Sequence, residues 1–501
     1  MKQDVFLEEA RLGKRSDAII RYDEVPHLAT LPARFRGFAL TDLAHVVMLA
    51  ETGVLRRDRA AKLLGGLIEV HELGPARFPF LPQTGSYLVQ IEHYLETTLG
   101  ADIAGRIQTG RSRNDQDASA DRIFLRDLLL EVLADTLALT GTVLNRAREH
   151  AATVMPGYTH LQHAQPWTFG HYLMRQASIL ERDVQRLRQC YARTNLGVLG
   201  GAANAGTSWP LDRRRTAALL GHDGIVVNSS DGGLFARDYL EEGTATLALL
   251  MGNLGRFATD LYLWSSWEFG YVEIADGLAG TSSIMPQKKN PHALERVKAV
   301  AGQAVGWLAS MMGCQRGVLS TDLDFEFSDN PLPLIGETTK GALRLMAESV
   351  GGLIVREERM AANAGAFWST ASHLADELVR RFDLPFRTAH HVVGKFVKDT
   401  IDAGGTPATA RAAVLLAAAR EFGAPSIAMA DDELRRILDA RAFLESRVTE
   451  GSVNPARVRE HAGALTKTVA EHAAWHRGEQ TRVETAIAAL LARARALAAE
   501  G

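Results

Sequence analysis

Cysteine is nearly absent: the 501 residues hold two, Cys190 and Cys314. That excludes a disulfide framework and a cysteine-rich zinc site. Aromatic residues make up 7% and β-branched runs are few, so the usual signals of a strand-rich chain are missing. No stretch reaches the roughly 18 consecutive apolar residues that a membrane span needs. Neither sign of charge dominates, since 56 basic against 59 acidic residues leave −3. There is then no general electrostatic case for nucleic acid or an anionic membrane as partner. The start, MKQDVFLEEARLGKR, carries charge where a secretory signal has its apolar region. A cytoplasmic protein is the expectation.

What the chain does have is helix-forming sequence. Hydrophobic residues make up 46% and charged residues 23%, which is ordinary globular composition. At roughly 100–200 residues per domain, the length predicts two to four domains. Residues 118–150 place Ile123, Leu128, Val132, Leu139 and Val143 at helical spacing. The middle of that segment is apolar on most faces, as a helix inside a bundle would be. Similar patterns cover 166–193, 235–268, 291–314 and 333–363, which predicts an extended all-α bundle. Changes of texture near 105–117 and 361–370 divide the chain into 1–111, 112–363 and 364–501. The middle part is the long-helix bundle, and shorter helices are expected after it.

Four polar or glycine-rich segments interrupt the helical pattern, and such segments are where a site is expected. Thr109–Gln116 concentrates donors in Arg111, Ser112, Arg113 and Asn114. They could hold carboxylates, or Ser112 or Asn114 could simply cap a helix. Met155–Pro166 carries Thr159, His160, His163 and Gln165. His160 could act as a general acid or base, or be a structural hydrogen-bonder. Its spacing from His163 suits a metal pair, but carboxylate or thiolate ligands are missing nearby, so zinc is discounted. Gly197–Thr207 is rich in glycine without GxGxxG spacing or a preceding strand, which points to close packing or a bend. Ala279–Pro291 carries Ser282, Ser283, Lys288, Lys289 and Asn290 along with two prolines. On composition alone it is either a site or a solvated linker.

The last segment resembles the signature loop of the fumarase/aspartase superfamily. Its Pro-Gln-Lys-Lys-Asn-Pro form is similar to the argininosuccinate lyase branch. TGRSRNDQ and MPGYTHLQHAQP resemble that branch's other two active-site regions. The likeness continues through Leu263–Ser265, Glu268–Tyr271, His373–Asp376 and Leu384–His390, so it covers most of the chain in order. The resemblance implies an all-helical, three-domain subunit and a homotetramer with active sites shared between subunits. It implies no cofactor and no metal, and anti β-elimination that releases fumarate from a small succinyl substrate. By matching position, Ser282 is the base, with its neighbour Ser283 as the alternative. Lys288 and Asn290 hold the intermediate's carboxylate, and Ser112, Arg113, Asn114 and Thr159 hold the succinyl group. His160 assists protonation of the leaving nitrogen, and Glu295 partners that histidine.

The departures fall on the leaving-group side. Thr281 replaces a glycine before the serines. Near the start, the expected Ser-Ile-x-Phe-Asp reads Ile19-Ile20-Arg21-Tyr22-Asp23, keeping Asp23. A family histidine falls on Leu88. In 317–330 the expected tyrosine, glutamine and lysine fall on Asp322, Phe327 and Asn330. Asp23, Gln165 and Asp322 complete the expected substrate-binding set. Losing a lysine and gaining acids disfavours an amine that carries a carboxylate. Two readings of the substrate follow: argininosuccinate itself, or another N-succinyl amine such as the ethylenediamine disuccinate used by one relative. A catalytically inactive, crystallin-like homologue is the non-enzymatic alternative.

Overall fold

The computed structural model describes residues 8–9, 13–235, 237–314 and 331–500. Nearly all regular structure there is helical. The helices that matter are α1 (Leu31–Glu51), α2 (Arg57–Arg77), α3 (Tyr87–Leu99), α4 (Arg113–Glu149), α5 (Phe169–Thr194), α6 (Asp238–Trp264), α7 (His292–Cys314) and α8 (Leu332–Gly351). They are followed by α9 (Ala371–Phe382), α10 (Phe386–Asp402), α11 (Ala412–Glu421) and α12 (Pro455–Ala498). Strands among the described residues are two residues long and pair into small ribbons. No described helix is long and apolar enough to cross a membrane.

The 37-residue α4 is the axis of the central bundle. Ile123, Leu128, Val132, Leu139 and Val143, the periodic positions of the sequence, are all buried in it. α5, α6, α7 and α8 pack around it in one apolar cluster that includes Leu133, Leu173, Leu250, Leu294 and Leu343. A second cluster joins α1, α2 and α3 to the first turns of α4. A third gathers α9, α10 and α11 around Leu378, Phe396 and Leu415.

Two details differ from the sequence pattern. The helix expected over 333–363 stops at Gly351, where two glycines meet. Ile354 and Val355 then pair with Glu273 and Val272 before helix resumes at Glu357. Helices also do not all shorten after 364, because α12 has 44 residues. Its first half buries Val458, Ala462 and Leu465 against the central bundle. Its second half buries Val483, Ile487 and Leu490 against α1 and α2. The last helix therefore ties the central and N-terminal clusters together.

Candidate active site

The first polar segment begins α4. Ser112 is its N-cap, with an extended backbone and a side chain that accepts the Asn114 N–H at 3.3 Å. Asp115 closes the capping box on the Ser112 N–H. Its carboxylate also accepts the Ala202 and Ala203 N–H groups at 2.7 and 3.1 Å. Those two alanines have φ of 48° and 70°, a left-handed pair that turns successive amides toward one anion. The glycine-rich segment is thus a clamp on the start of α4, a more specific role than a bend. Arg111 faces inward, where its guanidinium lies 2.7 Å from Asp42 with both side chains wholly buried. Ser112, Arg113 and Asn114 are half-buried at the surface edge.

The second segment is a hairpin of β1 (Tyr158–Thr159) and β2 (Gln162–His163), with Tyr158 opposite His163. His160 and Leu161 form its two-residue turn, with φ of 53° and 59°. Such primed turns normally use Asn-Gly, and the left-handed conformation costs an ordinary L-residue roughly 1–2 kcal/mol. The turn holds His160 at an exposed tip. Its base is fixed by Ala164 N–H to Gly157 O (2.8 Å), by the Tyr158 and Tyr271 hydroxyls (2.5 Å), and by Gln165 Nε2 donating to Ser372 Oγ (2.9 Å). Thr159 and Gln165 line a cavity of about 710 Å³ with Trp167, Phe367 and Arg447. Burial lowers the pKa of His163 below its ordinary 6.5.

The fourth segment is also a hairpin. β3 (Gly280–Thr281) pairs with β4 (Lys289–Asn290), setting Gly280 opposite Asn290 and Thr281 opposite Lys289. Between them lies a loop in which Ser282 is half-buried and residues 283–288 are exposed. Within it, Ser282 Oγ accepts the Ile284 and Met285 N–H groups at 3.3 and 3.0 Å. Lys288, Lys289 and Asn290 line a cavity of about 1210 Å³ with Glu273, Arg356 and Arg359. Glu295 is exposed in the first turn of α7.

These segments do not meet within one chain. Ser112 caps one end of α4 and the His160 hairpin follows the other end, about 55 Å away at 1.5 Å per residue. The two hairpins lie toward the same end, joined through Tyr158 and Tyr271, yet their cavities share no lining residue. Among the described residues no ion pair joins His160 to Glu295. Asp23 lies half-buried in a single turn over Ile20–Glu24, beside a buried Glu24 that accepts the Gly85 N–H. Asp322, with Phe327 and Asn330, lies outside the described residues. Among those described, no group of three His, Cys, Asp or Glu side chains is placed to hold a metal. Sequence reasoning missed the Asp42 partner of Arg111 and the ion pairs of Lys289 with Glu273 and Asp276, because both depend on contacts distant in sequence.

A helical bundle with exposed polar hairpins at its end is the architecture of a fumarate-lyase-type enzyme. The family described as "Lyase" matches residues 40–306, and "Argininosuccinate lyase C-terminal" matches 368–445. An argininosuccinate lyase of Methanococcoides burtonii is 40% identical over 361 residues, 72% of this chain and 73% of that one. One of Methanoculleus marisnigri is 35% identical over 504 residues, covering both chains in full. Among solved structures, an EDDS lyase variant with bound fumarate is 33% identical with a TM-score of 0.85, covering 95% of each chain. The EDDS lyase complex with formate matches equally well. The chain belongs to the argininosuccinate lyase family of the fumarase/aspartase superfamily.

Proposed function

We propose that this lyase catalyses reversible anti β-elimination of fumarate from an N-substituted L-aspartate, with argininosuccinate as substrate and arginine as the amine released. The observation that carries this reading is the hairpin at 280–290. Side chains alternate along a strand, and Thr281 and Lys289 are paired. Continued by one residue on each side, that alternation sends Ser282, Lys288 and Asn290 to the opposite face. Two backbone N–H groups already point at Ser282 Oγ. Donors of that kind stabilise an alkoxide, which a serine needs in order to act as a base. Among the described residues no comparable bonds favour Ser283.

Ser282 takes the proton from the succinyl Cβ. The electron pair moves into the neighbouring carboxylate, where Lys288 and Asn290 stabilise the charge. The C–N bond then breaks, and His160, partnered by Glu295, delivers a proton to the departing nitrogen. Ser112, Arg113, Asn114 and Thr159 grip the succinyl carboxylates. Gln165, Asp23 and Asp322 belong to the substrate side. The roughly 55 Å between Ser112 and the His160 hairpin supports a homotetramer that completes each site from several subunits. The parts 1–111, 112–363 and 364–501 are the proposed domains, with α12 returning to the first two. The enzyme works in the cytoplasm, in arginine synthesis, without cofactor or metal.

A second reading is favoured by the EDDS lyase likeness and by the acids at 322–326: the amine is something other than arginine. Fumarate release from argininosuccinate, followed by ultraviolet absorbance, separates the two. Turnover at a metabolic rate supports arginine. No turnover, with fumarate consumed in reverse by a diamine, supports the second reading. Inactivity in both directions with every amine tried overturns both.

A further inference from the structure

Two adjacent lysines end the loop, and the structure gives them different surroundings. Lys289 Nζ lies 2.8 Å from Glu273 Oε1 and 2.6 Å from Asp276 Oδ1. Glu273 also receives Arg356. Hydrogen bonds from Lys289 and then Arg356 hold the Glu273 carboxyl below its usual range, and those to Asp276 and Glu273 raise Lys289. Glu273 is itself fixed, because Val272 and Glu273 pair with Val355 and Ile354. No described carboxylate pairs with Lys288.

We infer that Lys289 is a positioning residue: its clasp on Glu273 and Asp276 pins β4, and so turns Lys288 and Asn290 toward the reacting succinyl group. The inference rests on the lyase reading for its kinetic consequence only. The clasp anchors the root of the loop while its tip, Ser283–Gln287, stays free to close over substrate. An exposed ion pair adds little to global stability, so its removal leaves the fold intact and frees only the loop root. The two lysines then differ in kind. Lys288 meets charge that develops during the reaction, and Lys289 fixes where Lys288 stands.

The test uses the full-length enzyme with Lys289→Met, Lys289→Arg, Glu273→Gln and the Met/Gln double variant. Amide deuterium exchange is followed over 280–290, alongside kcat and KM for fumarate release. Lys289→Met is expected to speed exchange in 280–290 alone. It should lower kcat by roughly 10²-fold, the cost of a small misplacement, with little change in KM. Lys289→Arg should restore both readouts, since a guanidinium reaches the same two carboxylates. The double variant should be no worse than Lys289→Met, as expected for two ends of one contact. Unchanged exchange in Lys289→Met overturns the clasp. So does a kcat loss that arginine fails to restore, which would put Lys289 on the substrate instead. Absence of fumarate release from wild type would refute the lyase reading, and exchange, which needs no substrate, would still decide the clasp.

Discussion

Arg111 Nη1 stands 2.7 Å from Asp42 Oδ1, with neither side chain open to solvent. Gln116 Nε2 donates to the same oxygen at 2.7 Å, and Gln108 Oε1 accepts from Arg111 Nε at 2.8 Å. This pair bolts the start of α4 to α1, and Ser112–Asn114 follow directly. Arg111 therefore supports the proposed carboxylate-binding segment from behind.

Removing one partner leaves a buried charge alone, which costs about 3–5 kcal/mol. Asp42→Ala should lower the denaturation midpoint accordingly at fixed protein concentration. Replacing both residues, Asp42→Leu with Arg111→Met, should recover most of that loss. A double variant as unstable as the single one would show that the pair is not the cause.

Gly157 sets the seat of the His160 hairpin. A Cβ there would overlap the Gln165 carbonyl oxygen, a backbone atom that cannot swing aside. Gly157→Ala should cost roughly 1–3 kcal/mol, as overpacking does, and should displace Thr159 and His160. The expected result is a large loss of kcat with the helical circular-dichroism signal retained. Full activity would mean that the turn is not seated by this contact.

The axis of the fold is legible in the sequence because α4 is buried nearly all round, and its apolar period runs without a break. The Ser112 cap is legible for a local reason: one hydroxyl followed by an acid three residues later. α12 is harder to read as a long bundle helix, since its buried face is thin and half of it answers to a different cluster. The end of α8 depends on a pairing with Val272 and Glu273, some 80 residues earlier. The turn at His160 and Leu161 breaks the residue preferences of primed turns, so no turn chemistry announces it. The same holds for Ala202 and Ala203, whose left-handed backbone is explained only by the Asp115 carboxylate that they bind. These last cases are local rules broken where the candidate site is built.

If Ser112–Asn114 and His160 serve one site from different subunits, defects in them should complement. The Asn114→Ala and His160→Ala variants should each be nearly inactive. Denaturing them together and refolding the mixture should yield some sites built from two unaltered segments, with fumarate release well above either parent. A mixture no more active than its parents would argue for sites built within one chain, against the separation along α4.

Asp117, about one turn into α4, gives the pH prediction. It is half-buried, and burial with the nearby Asp121 carboxylate pushes its pKa up to about 7 from an ordinary 3.8. Arg34 from α1, Arg237 ahead of α6 and Arg113 on α4 itself pull the other way without winning. His27, which shares Arg34, Asp121 and Arg113 with Asp117 as charged neighbours, is lowered to about 4, by burial first and Arg34 next, so it stays uncharged at neutral pH. Asp121 is held between Arg34 and Arg237 and cannot turn aside. A carboxyl raised in the folded state adds stability that is fully present below its unfolded value, near 4, and lost as pH rises through about 7. At roughly 1.4 kcal/mol per unit the upper bound is about 4 kcal/mol. Asp117→Asn cannot ionise. It should flatten the fall of the denaturation midpoint between pH 5 and 8, and stand above wild type at pH 8. Equal slopes for the two proteins would mean that Asp117 is already ionised at pH 5 and that the arginines around it prevail.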